Sequence, residues 1–316
     1  MFHSFEPLKN QPRAVILDTD IGPDCDDVGA LICLIHYAKE YGFPIAGICN
    51  CTSNKSGTGA IDGVCRFCGI EPPPLGQWSG EGFLDEPVCH RYNDALAENF
   101  SEAFRNGTLH AEDSVAFYRK RLAEASDDGV VIITIGMFNN LAALLNSGAD
   151  KISPLSGIEL VKAKVHCLVS MAAIYPEGRE YNVFCDPISA QTVFSRWPTP
   201  VYLSDFKIGY GLMTGYGHLT DPAAIQASPG ATAYHLYTAG GMNHSFDLTA
   251  IQFAVCGEGD LYGLLDPVDL EFYAEIPDLT DATRAFPSAE GKFRFMYKRA
   301  EDAVIAESLL QILKQY

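Results

Sequence analysis

Residues 14–31 read A-V-I-L-D-T-D-I-G-P-D-C-D-D-V-G-A-L, and this stretch decides the fold. Its opening, AVILD (14–18), is a short apolar run closed by acidic and glycine-rich residues, which suits a buried parallel strand better than a helix. From Asp26 the spacing changes. Val28, Leu31, Ile32, Ile35 and Tyr37 recur near 3.6 residues, and Gly42 supplies a stop. PIAGICNC (44–51) then reads as a second strand and TGAIDGVCRFCG (58–69) as a second helix. A strand, helix, strand, helix order predicts an α/β fold: an open, mainly parallel central sheet with helices on both faces and a Rossmann-like core.

The pattern continues outward. SVAFYRKRLAEAS (114–126) and NNLAALLNS (139–147) read as helices on either side of a strand, VVIITIG (130–136). KVHCLVSMAA (164–173) and VYLSD (201–205) are further buried strands, and residues 212–240 are mostly helical and turn-like. SFDLTAIQFAVCG (245–257) is a helix entered from a loop, the tail from Leu270 alternates like antiparallel strands, and residues 301–316 close as a helix. Residues 72–106, rich in Pro, Gly and aromatics, read as an irregular excursion over the sheet. No repeat interrupts the chain, so residues 1–316 are expected to form one domain behind a polar leader at 1–13.

Composition narrows the partners. The chain has 316 residues, with 22 Lys plus Arg against 40 Asp plus Glu, a net charge of −18. No basic stripe is available for a phosphate backbone or an anionic membrane, so neither nucleic acid nor membrane is an expected partner. The ten cysteines lie mostly in apolar runs and read as reduced core residues of a cytoplasmic protein. Cys65 and Cys68 form a C-x-x-C, but without a second pair or a nearby His pair it is weak as a zinc or redox motif. No 18-residue apolar stretch occurs, and the leader lacks an apolar signal region.

Five carboxylates, Asp18, Asp20, Asp24, Asp26 and Asp27, fall within ten residues where the first strand gives way to the first helix. Open α/β sheets bind ligands at that edge. So much like charge in one turn is destabilising unless a cation neutralises it. Oxygen-only ligands favour Ca²⁺ or Mg²⁺ over zinc. The alternative is that Asp26 caps the helix and the other acids are simply solvated.

D-T-D-I-G-P-D-C-D-D-V-G-A-L resembles the N-terminal signature of the nucleoside hydrolases, D-x-D-P-G-x-D-D-A-x-A-L. Here two residues are added before Asp26-Asp27, a longer form found in a subset of that superfamily. The resemblance continues in order: IAGICNCTSN ending at Asn54, TIGMFNNLAALL, VHCLVSMAA, EYNVFCDPISAQTVF and SFDLTAIQFAV. It implies calcium-dependent hydrolysis of the N-glycosidic bond of ribonucleosides, giving base and ribose, as in purine and pyrimidine salvage. It also implies a nucleoside substrate and a homodimer or homotetramer. Carried over residue by residue, Asp20, Asp27, the Ile135 carbonyl and Asp247 would ligate Ca²⁺, with Asp20 as general base. Asp26, Asn54, Glu180 and Asn182 would bind ribose hydroxyls, and Met171 would line the ribose pocket. Asp186 reads as the cap of its following helix, and Tyr234, His235 and Tyr237 lie in the region expected to flank the base.

Phe246 is a departure, because it stands where the inosine- and uridine-preferring enzymes carry a histidine that protonates the leaving base. Two escapes present themselves: His244 supplies the acid from two residues earlier, or Phe246 stacks on the base and leaves protonation to another group. Two other classes remain in play. A ribose- or nucleoside-binding protein without turnover would keep the ligands and lack the acid. A haloacid dehalogenase-like phosphatase also opens on strand-D-x-D, but has Thr where Gly22 stands and no role for Asp26-Asp27.

Overall fold

The structure, a computed structural model, describes residues 5–274 and 280–316. Residues 1–4 of the leader and 275–279 of the alternating tail lie outside the described residues. The strands are β1 (Ala14–Thr19), β2 (Ile45–Asn50), β3 (Leu75–Gln77), β4 (Glu112–Asp113), β5 (Val130–Thr134), β6 (Val165–Met171) and β7 (Glu177–Gly178). They continue with β8 (Val201–Ser204), β9 (Met213–Gly215), β10 (Met242–His244), β11 (Tyr262–Leu264), β12 (Val268–Tyr273), β13 (Ala282–Pro287) and β14 (Phe293–Lys298).

Among the described residues twelve strands form one sheet in the order β4-β3-β2-β1-β5-β6-β8-β14-β12-β13-β7, with β11 on β14; β9 and β10 form a separate ribbon. From β4 through to β14 every neighbouring pair is parallel. The chain runs outward from β1 through β2, β3 and β4, then returns to place β5 on the other side of β1. The carboxyl ends of β1 and β5 are therefore the point where the strand order reverses, and loops leaving there diverge around a crevice.

Both faces of the sheet are covered, as the unbroken apolar runs require. Val15 and Leu17 of β1 and Val131 and Ile133 of β5 join one core cluster; Ile16, Val130 and Ile132 join the other. The first core carries the Asp26–Tyr41 and Phe246–Cys256 helices, the second the Ser114–Glu124 and Asn139–Asn146 helices. The leader is polar by composition yet anchored. Phe5 stacks on Phe253 at 4.6 Å and meets Tyr202 edge-on at 4.7 Å, and Leu8 is buried.

Two regions differ from the sequence reading. The 72–106 excursion contains β3, a helix at Asn93–Phe100 and a turn of helix at Glu102–Arg105. Its ordering comes from packing: a Cβ on Gly59 would stand 2.6 Å from Ala97 Cβ, and one on Gly63 would stand 2.7 Å from Phe100 Cβ. Glycine one turn apart on the Lys55–Phe67 helix lets the second helix sit closer than any side chain allows. The tail strands β12 and β13 are antiparallel as expected, but they extend the central sheet through β14, which also pairs parallel with β8. All ten cysteines are free.

Candidate functional site

A cavity of about 390 Å³ opens at the reversal point, within the range of small-molecule sites. Its floor is acidic and buried: Asp20 follows β1, Asp26 and Asp27 open the first helix, Asp247 opens the Phe246–Cys256 helix, Glu180 caps the single helical turn Tyr181–Phe184, and Asn182 lies within that turn. Ile135, just past β5, and Met171, at the end of β6, complete the floor. The rim is apolar and aromatic, with Val88, Tyr181, Phe206, Tyr237 and Phe246 on it.

The tightest grouping is Asp26, Asp27 and Asp247, each offering a carboxylate oxygen, all within 4.8 Å of one another. Asp26 Oδ2 accepts from the backbone N–H of Asp247 at 3.0 Å, a contact spanning 221 residues of sequence. Thr19 donates its hydroxyl to Asp27. Two helix N-termini thus bring acids to one point, where the helix dipole favours negative charge. Asp26 does not cap its helix: Cys25 holds that position, and no side chain makes the capping bond.

Burial pushes the carboxyls of Asp26, Asp27 and Asp247 well above the usual range; the charges of Asp20 and Asp24 raise all three further, and Asp26 also raises Asp27 and Asp247. Asp20 lies outside the trio but is pushed up to about 7, by burial first and then by Asp24 and Glu180. Among the described residues no Lys or Arg forms an ion pair with any of these four. A buried set of hard oxygen donors left unneutralised by the protein fits a divalent cation of the Ca²⁺ or Mg²⁺ type.

Glu180 and Asn182 lock the floor. Glu180 accepts from the N–H groups of Asn182, Val183 and Ala173 at 2.9, 3.2 and 3.2 Å, while burial pushes its own carboxyl up to about 7. Asn182 Nδ2 donates to the carbonyls of Ile135 at 3.2 Å and Met171 at 3.0 Å, tying the turn to the ends of β5 and β6.

Two of the sequence-derived site residues are not on the cavity wall. Asn54 is buried as the cap of the Lys55–Phe67 helix, accepting from Ser56 N–H, with its amide nitrogen against His90. His244 stacks on Tyr210 at 4.7 Å, leans on Phe246 at 5.5 Å, and accepts from Gly211 N–H at 3.0 Å through Nδ1. Asp186 caps the Pro187–Arg196 helix through Ser189 N–H. Of the three residues expected near the base, Tyr237 reaches the cavity, Tyr234 is fully buried, and His235 bonds the Tyr216 carbonyl.

Sequence reasoning missed the rim residues Pro23, Val88, Cys89, Arg91, Tyr181 and Phe206. They come from loops and helix ends with no periodic signal. Asp24, contributed by the lengthened loop, also lines the cavity, held by Asn243 through its side chain and by the Tyr92 hydroxyl through its carbonyl.

Comparison with known proteins agrees with this architecture. A plant nucleoside hydrolase, PpNRh1, superposes with a TM-score of 0.67 at 16% identity, covering 96% of this chain and 99% of that one. The effector protein XOO4466 matches at a TM-score of 0.62 and 13% identity, over 96% of this chain and 93% of that one. The type III effector XopQ, solved with adenosine diphosphate ribose, matches at 0.59 and 13%, over 96% and 92%. At such identities these likenesses speak for the fold alone. No curated protein matches the sequence. The model of the inosine-uridine preferring nucleoside hydrolases matches residues 15–238, a span that runs from β1 past Tyr237 and stops before Asp247. The chain belongs to the inosine-uridine preferring nucleoside hydrolase family.

Proposed function

We propose that this protein hydrolyses the N-glycosidic bond of ribonucleosides, releasing free base and ribose, with Ca²⁺ held by the buried acids. The observation that carries the reading is the Asp26, Asp27 and Asp247 trio, closed to within 4.8 Å at the floor of a nucleoside-sized cavity and paired with no Lys or Arg among the described residues. Asp27 and Asp247, with Asp20 and the Ile135 carbonyl beside them, are the ligands in this reading. Bound there, the ion would supply Lewis-acid activation of a water and coordination positions for the ribose 2′ and 3′ hydroxyls.

The chain's own groups do the rest. Asp20, buried on the cavity floor, is the group suited to take a proton from the nucleophilic water. Asp26, Glu180 and Asn182 offer fixed acceptors and donors to ribose hydroxyls, so a sugar lacking one would leave a buried polar group unpaired. Met171 packs under the sugar. Phe206 and Phe246, stacked at 5.1 Å and 23°, give the base a flat apolar wall. His244 stands behind Phe246, which favours stacking over protonation at this position.

A reducing-sugar assay over a ribonucleoside panel, with and without chelator, tests the proposal. Ribose release that stops on chelation and returns with Ca²⁺ is the expected result. Nucleoside binding without release would support the binding-protein alternative, and phosphate release from simple phosphomonoesters the phosphatase.

A further inference from the structure

The cavity divides a nucleoside's chemistry in two. Its floor of buried carboxylates and Asn182 matches a polyhydroxylated sugar, and its aromatic rim matches a flat base. On that rim sits one cation, Arg91, alone among the cavity-lining residues. Its Nε donates to the Val88 carbonyl at 3.2 Å, and its guanidinium lies over the Tyr237 ring at 5.1 Å. Those contacts fix the fork while leaving both terminal nitrogens without a hydrogen-bond or ion-pair partner among the described residues. An exposed arginine on the rim of a pocket lined by six carboxylates, yet paired with none of them, is free to donate to a group that enters the pocket.

We propose that Arg91 is a catalytic residue of the hydrolysis, its guanidinium donating to the departing base and stabilising the negative charge that develops there. This rests on the hydrolytic reading above. When the C1′–N bond breaks, its electron pair goes to the base nitrogen and spreads onto the ring carbonyl oxygens. Water oxygen bonds to C1′ and loses a proton to Asp20, and the released base anion takes its proton from solvent. With Phe246 where a histidine acid would stand, hydrogen bonding to the anion replaces protonation. The same geometry names a substrate class. A guanidinium only donates, so it matches bases presenting adjacent acceptors, such as the O6 and N7 of a 6-oxopurine. Adenine offers N7 beside an amino donor and matches it poorly.

The test compares wild type, Arg91→Ala and Arg91→Lys on inosine, adenosine and para-nitrophenyl riboside. The nitrophenolate leaving group needs no assistance. Arg91→Ala should lower kcat on inosine by about 10²-fold with KM moving little, because the charge exists only in the transition state. Its rate on para-nitrophenyl riboside should hardly change, and the wild-type preference for inosine over adenosine, expected at about 10-fold to 100-fold, should collapse. Arg91→Lys should recover part of the inosine rate without the preference. Equal losses on inosine and the nitrophenyl substrate would show a structural role and overturn the inference, as would no loss on either. A wild-type protein that cleaves none of the three overturns the hydrolytic reading itself, and this inference with it.

Discussion

Replacing Asp18 by Asn should make the protein less stable in acid and more stable above neutrality. Asp18 is fully buried at the end of β1; its Oδ2 accepts from the Tyr118 hydroxyl at 2.6 Å and Asn140 Nδ2 at 3.0 Å, while Oδ1 has no partner. Burial raises this carboxyl from the ordinary 3.8 to about 7, overriding the two hydrogen bonds. Asp18 therefore holds its proton more tightly folded than unfolded. Its stabilising contribution is full below about pH 4 and is lost as pH rises through 7. At about 1.36 kcal/mol per pH unit, the gap from 3.8 to about 7 amounts to about 4 kcal/mol. Asn is isosteric and does not titrate, so its stability relative to wild type should climb by about 4 kcal/mol between pH 4 and 8.5. At pH 4 the variant should be the less stable by about 1–3 kcal/mol, since one amide donor then points where no acceptor stands. Urea unfolding with chelator present, at several pH values, measures the difference; contributions from acids that do not feel Asp18 cancel in it, and Asp20, which the Asp18 charge helps to raise, adds a smaller gain of the same sign. A difference that stays flat across this range would refute the burial argument.

Asp27→Ala should abolish both Ca²⁺ binding by calorimetry and ribose release; unchanged Ca²⁺ affinity would move the ion elsewhere. His244→Ala should leave para-nitrophenyl riboside hydrolysis almost unchanged and, if the ring only buttresses Phe246, should cost inosine hydrolysis far less than the 10²-fold to 10⁴-fold typical of a lost general acid. Phe246→His tests the same point from the other side: loss of purine binding without a gain in rate would support stacking. Gly209→Ala should destabilise the fold by about 1–3 kcal/mol and weaken Ca²⁺ binding together, because its Cβ would stand 2.4 Å from Phe246 Cα and displace the helix start that carries Asp247; thermal melts with and without Ca²⁺ measure both.

The fold was legible where the chemistry is local. β1, the acidic loop and the first helix announce themselves through a change of hydrophobic period at Asp26, and a strand buried on both faces has to be apolar throughout. The family motifs placed Asp20, Asp26, Asp27, Ile135, Met171, Glu180, Asn182, Phe246 and Asp247 in what the structure shows to be one cavity. What escaped was tertiary. The Asn93–Phe100 helix is short, and its formation depends on glycines thirty residues earlier; the attachment of β12 and β13 to the central sheet depends on β14 pairing in both senses. Arg91 and Phe206 carry no pattern at all, because a rim residue is chosen by where a loop passes rather than by what precedes it. Asn54 shows the reverse case: a residue conspicuous in a motif whose side chain is occupied in capping its own helix.

The contact between Asp26 and the Asp247 backbone joins positions 221 residues apart, and this sets a timetable for the growing polypeptide. At a synthesis rate of roughly 5–20 residues per second, Asp247 leaves the ribosome some 10 to 40 seconds after Asp26. Throughout that interval the acidic loop has no third carboxylate to close on and is best left in water. If the proposed metal site is the Asp26, Asp27 and Asp247 trio, a nascent chain would complete it only late, when the Phe246–Cys256 helix docks against the first helix. Cation occupancy would then mark molecules whose synthesis has passed the first two-thirds of the sheet strands, and products truncated before Asp247 would be told from longer ones by what they fail to bind.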